Sequence, residues 1–102
     1  MTLPEILNLD LKEPIAVKGE KVSSLRLEAP RVKDRLSAEQ FLANGAHPAA
    51  MTRYAARLIA RCARLPDAAV EELTHADFNR AWSFVDSHVS AGIEASDKEP
   101  AP

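Results

Sequence analysis

A chain of 102 residues is long enough for one small domain with a modest core and too short for two. Its hydrophobic share of 46%, charged share of 27% and net charge of -2 are ordinary for a soluble globular protein and give no overall pull toward nucleic acid or anionic membrane. The single cysteine, Cys62, excludes an intramolecular disulfide, and no apolar run approaches the roughly 20 residues that cross a bilayer.

Residues 1–8 contain Leu3, Ile6 and Leu7 without a clear period, and are expected to form a flexible leader. Their acidic surroundings are not those of a signal peptide, which points to a cytoplasmic protein. From Leu9 the pattern becomes that of a half-buried strand: Leu9, Leu11, Ile15 and Val17 take the odd positions. Pro14 interrupts the run and predicts an edge position or a bulge. Gly19, within Lys18-Gly19-Glu20-Lys21, supplies a turn, and Leu25, Leu27 and Ala29 continue the alternation on the return. Residues 9–29 therefore read as a β-hairpin, which is marginal alone and needs helices against its apolar face.

Pro30 ends the second strand. Asp34 is placed to cap a short helix over residues 35–43, with Ser37 and Gln40 as an alternative capping box, and Asn44-Gly45 closes it. The strongest pattern follows over residues 49–65. Met51, Tyr54, Ala55, Leu58, Ile59, Cys62 and Leu65 share one side of a helix, while Arg53, Arg57, Arg61 and Arg64 form a ridge on the other. Pro48 suits its first turn and Pro66 stops it. A short helix over residues 67–73 offers Val70 and Leu73 to the core. Thr74 with Asp77 three residues on is a capping-box arrangement, opening a helix over residues 75–90 whose Phe78, Ala81, Trp82, Val85 and Val89 share a face. Gly92 is the expected stop, and residues 92–102, charged and proline-rich, are expected to be a disordered tail. The fold class is α+β, an N-terminal hairpin with three to four helices packed on it in a single domain over residues 9–91.

No constellation for catalysis emerges. There is no nucleophile elbow or P-loop, and His47, His75 and His88 lack metal-ligand spacing, so neither an enzyme, a metal nor another cofactor is expected. Cys62 is better read as a small buried thiol than as a nucleophile. The arginine ridge admits three readings. It could track phosphates, meet an acidic protein partner, or lie solvated and paired with acids such as Glu71, Glu72 and Asp77. The last is preferred; a small nucleic-acid-binding or regulatory domain using Arg53, Arg57, Arg61 and Arg64 is kept as the alternative, with nucleic acid disfavoured by the acidic balance. Phe84 lies off the buried stripe of the last helix and reads as an interface anchor.

The order of parts carries a further signal. L-x-L-x-x-P-I-x-V-x-G-x-x-V-x-x-L-x-L runs from Leu9 to Leu27. P-x-V-x-D follows from Pro30 to Asp34, then an alanine-rich helix ending in Leu65-Pro66, and then L-T-x-A-D-F from Leu73 to Phe78. This succession resembles the tail assembly chaperones of contractile-tailed phages and prophages, encoded beside the tape-measure gene, over about residues 9–89. The resemblance implies a non-enzymatic protein of the host bacterial cytoplasm. It would bind the tape-measure protein, keep it soluble, help bring in tail-tube subunits and be missing from the finished virion. A longer frameshifted product is known in many members, and residues 94–102 would suit such a junction. The physical task would be capture of an amphipathic helix in an apolar groove with a charged rim. Trp82, Phe84, Val85 and Val89 with the four ridge arginines are the candidate surface. Self-association is also expected, since one hairpin and a few helices leave apolar surface uncovered.

Overall fold

In the computed structural model, residues 4–98 are described, with side chains described up to residue 91. The odd-numbered leucines drive the first element. β1 (Ile6–Val17) and β2 (Glu20–Glu28) form an antiparallel pair in which Leu7 faces Leu27 and Leu9 faces Leu25. β1 starts three residues before the predicted hairpin, so residues 6–8 belong to the ladder and not to a leader. The alternation does reach Leu7, but Ile6 beside it masks the period. Lys18 and Gly19, with φ of 52° and 81°, make the tight turn, both in the left-handed region that matches strand twist. Register breaks between Asp10 and Ile15, which pair with Ser24 and Val22, so residues 11–14 bulge opposite Ser23 and Pro14 falls inside the bulge.

α1 (Val32–Glu39) begins three residues earlier than predicted. Asp34 is its third residue and not its cap: the carboxylate reaches back and accepts the Arg31 N–H at 2.9 Å, the returning half of a capping box. A 3-10 turn, Gln40–Leu42, follows. α2 (Pro48–Ala63) starts on His47, whose Nδ1 accepts the Ala50 N–H, and ends on Arg64 in the left-handed conformation. α3 (Asp67–Glu71) is short. α4 (His75–Lys98) starts with the Thr74 hydroxyl accepting the Asp77 N–H at 3.2 Å.

α4 does not stop at Gly92. One glycine inside a helix costs only about 1 kcal/mol against alanine, and the alanines around it favour helix. The expected disorder of residues 92–98 is thus replaced by helix; residues 99–102 lie outside the described residues, as do residues 1–3 of the expected leader.

The core is where the sheet face meets α2. Leu9, Leu25 and Leu27 pack with Leu58, Ile59 and Cys62, and Val70, Ala81 and Val85 close the other side. Leu27, Leu58, Ile59, Val70 and Val85 are each almost wholly enclosed. The architecture is the α+β arrangement that the patterning predicts.

Candidate partner-binding surface

The arginine ridge is real but mostly tied down. Arg57 donates from Nε to both carboxylate oxygens of Asp67 at 3.0 and 2.9 Å, and from Nη1 to the Ser37 hydroxyl at 2.9 Å. Its guanidinium also lies over the Phe41 ring, 4.9 Å from the centroid. Arg61 pairs with Asp34 at 3.0 Å and Arg64 with Glu28 at 3.0 Å. Pairing with acids is therefore correct in kind, but the acids are Asp67, Asp34 and Glu28, not Glu71, Glu72 or Asp77. Among the described residues only Arg53 of the ridge is exposed with no ion pair. A continuous row of free guanidinium groups for phosphates is not what α2 presents.

The apolar half of the expected surface is largely internal. Val85 is fully buried and Phe84 only 9% exposed, its ring edge-on to His88 at 4.9 Å. Both are occupied by the protein's own core, which corrects the reading of Phe84 as an interface anchor: its flank of α4 lies against the hairpin. Trp82 and Val89 are half-buried; Trp82 stands edge-on to Tyr54 at 6.0 Å.

The structure exposes other apolar side chains instead. Val32 is 76% and Leu36 61% exposed, and Met51 and Ile6 are each 42% exposed. Val32 and Leu36 are four residues apart on α1, opposite the buried Ala38, so they project together away from α2. The signal was present in the spacing Val32, Leu36 against Ala38, but assigning the helix start to residue 35 hid it.

Between the open end of the hairpin and the last turns of α2 lies a groove of about 920 Å³, walled by Glu28, Arg31, Lys33, Asp34, Arg61 and Arg64. Cys62 lines it but is 2% exposed, and burial pushes its thiol up to about 12, with the Asp34 and Glu28 carboxylates adding to the effect. At neutral pH it is a protonated thiol and a poor nucleophile. Among the described residues no group of three or more His, Cys, Asp or Glu side chains is placed to hold a metal ion, and no helix is long and apolar enough to cross a membrane.

One polar cluster is built with care. Asp77 is fully buried, and its Oδ2 accepts the backbone N–H of Lys12 at 2.9 Å and of Glu13 at 3.4 Å, while Arg80 donates to Oδ1 at 3.1 Å. Burial alone would raise its pKa, but the Glu13 and Lys12 amides, the Thr74 hydroxyl and the Arg80 guanidinium together hold it below the usual carboxylate value. Arg80 also donates to the Asp10 carbonyl at 2.9 Å, and His88 Nε2 to that of Pro4 at 2.6 Å. Asp77, Arg80 and His88 thus place α4 antiparallel along the outer edge of β1, satisfying backbone groups that the bulge and the edge leave open.

These positions explain the L-T-x-A-D-F sequence. Thr74 starts the helix, Asp77 locks the bulge, and Phe78 packs against the core. Residues 8–89 match the family described as phage tail assembly chaperone proteins, E, or 41 or 14. The chain belongs to that family. No curated protein and no solved structure matches it. For this tail assembly chaperone the matched span contains nearly all of the hairpin and every helix start, leaving outside it the first two residues of β1 and the last turns of α4.

Proposed function

We infer that this tail assembly chaperone acts on the tape-measure protein, holding its apolar helical surface in solution until tail-tube subunits assemble around it. The observation that carries the reading is the family match over residues 8–89. The exposed pair Val32 and Leu36, with Met51 on α2, supplies apolar surface for an amphipathic helix, and the half-buried Trp82 and Val89 with Arg53 and its paired neighbours Arg57, Arg61 and Arg64 supply aromatic and cationic rims. Phe84 and Val85 take no part except as support from below.

The same reading makes the protein non-enzymatic, active in the host bacterial cytoplasm and left out of the finished particle, and gives it a second contact with the tail-tube protein. It also makes it self-associating. Co-expression with the neighbouring tape-measure fragment tests it: the fragment should move from the pellet to the soluble fraction and co-purify. A fragment that stays insoluble beside well-folded chaperone would overturn the reading.

A further inference from the structure

The two edges of the hairpin are treated differently. The Ala29 N–H donates to the Glu5 carbonyl at 2.7 Å, which fixes the phase of the ladder: Leu7 with Leu27 and Leu9 with Leu25 exchange hydrogen bonds, and the residues between turn their backbone groups outward. On the β1 side two of the outward carbonyls meet α4: Arg80 donates to that of Asp10 and His88 to that of Pro4. On β2 the outward groups belong to Ser24, Arg26 and Glu28, and among the described residues no side chain or backbone group bonds to them. Ser24 and Arg26 are exposed. No proline lies within β2, so this edge is a row of open donors and acceptors.

We propose that the β2 edge is the self-association surface of this chaperone, pairing antiparallel with β2 of a second copy to give a four-stranded sheet. This deepens, and rests on, the self-association stated above. Three features select a copy as the occupant. Only an extended backbone satisfies alternating N–H and C=O groups at this spacing. An antiparallel register centred on Leu27 sets Arg26 opposite Glu28 of the second copy, twice by symmetry, so that each Glu28 carboxylate, already paired with Arg64 of its own chain, gains a second arginine, while Ser24 falls opposite Pro30, whose carbonyl alone can bond to it. The assembly also closes: after pairing, both outer edges of the enlarged sheet are β1, each flanked by its own α4 through Arg80 and His88. Growth stops at two, where an unprotected edge would otherwise continue.

The experiment is sedimentation of the full chain over a wide concentration range, with Arg26→Pro as the interface variant and Asn8→Pro as its match on the other edge. Residue 26 does not use its N–H within the hairpin, and neither does residue 8, so both prolines leave the internal ladder intact. Wild type and Asn8→Pro should dimerise and Arg26→Pro should remain monomeric with an unchanged circular dichroism spectrum. Amide exchange of the wild type provides a second readout that needs no variant. The Ser24, Arg26 and Glu28 amides should be protected at high concentration and exchange rapidly at low concentration. A chain that stays monomeric throughout overturns both self-association and the edge. A dimer that survives Arg26→Pro, or one whose Arg26 amide exchanges freely, overturns the edge alone and moves the contact to another surface, such as Val32 and Leu36.

Discussion

Replacing Asp77 with Asn changes almost no volume but removes the one negative charge that joins the β1 bulge to α4. The carboxylate is wholly buried and accepts two backbone N–H groups from the β1 bulge and a guanidinium from Arg80. An amide has one acceptor oxygen, so whichever way it turns, its NH2 faces either the Lys12 and Glu13 amides or Arg80. A hydrogen bond to a charged group contributes about 1.5 to 3 kcal/mol, and an orphaned buried donor costs about 1 to 3 kcal/mol, so Asp77→Asn should cost about 3 kcal/mol. For a domain of this size that is about 12 to 24 °C in Tm, out of a total stability of about 5 to 15 kcal/mol. The pH dependence has a definite sign. Because Asp77 titrates below its unfolded value of about 3.9, the unfolded chain binds more protons in between. The stabilisation is complete above that value and disappears as pH falls through the folded one. Thermal melts followed by circular dichroism from neutral to acid pH test both statements: wild type should lose stability on acidification, and Asp77→Asn should start lower and fall less. A variant melting within about 2 °C of wild type at pH 7, or an acid slope unchanged by the substitution, would refute the account of the bulge lock.

Three further outcomes follow from the same structure. Leu58→Ala, at a site with no exposure in the middle of α2, should lower stability by about 2 to 5 kcal/mol in urea titration, among the largest effects of any single truncation. Cys62 should not react with a thiol reagent at pH 8 in the native protein, since burial raises its pKa to about 12, and should react at once in guanidinium; rapid native labelling would show that the helix opens far more readily than its packing implies. Val32→Ser with Leu36→Ser should leave the melting temperature within about 3 °C, because neither side chain is buried, yet should abolish the solubilising effect on a co-expressed tape-measure fragment.

Much of the fold was legible because its signals are local. Alternating leucines, the Lys18-Gly19 turn, the 3.6-residue stripe of α2 and the Thr74 cap are each decided within a few residues of themselves. Pro14 foretold the bulge for the same reason, since it removes a ladder donor. What the sequence hid were the long-range polar contacts. Asp77 reads as an ordinary capping-box acid, and nothing nearby announces that it serves amides at Lys12 and Glu13. The partners of Arg57, Arg61 and Arg64 were likewise invisible, because Asp67, Asp34 and Glu28 meet them only through tertiary packing. Phe84 was misjudged for a related reason: a helix gripped by the hairpin on one flank and by α2 on another buries more than a single stripe. The exposed Val32 and Leu36 were missed through an error of three residues in the start of α1, enough to turn a helix by most of a revolution.

The bonds joining α4 to β1 also impose an order on synthesis. The ribosome releases the hairpin first, but the contacts along its β1 edge come from Asp77, Arg80 and His88, which are made only after α1, α2 and α3. Until then the nascent chain carries a hairpin open along both outer edges, so slow elongation between Pro30 and Leu73 prolongs the interval in which neighbouring nascent copies can tangle. Codon usage across that middle stretch should therefore affect the yield of soluble protein more than the same change placed after His88.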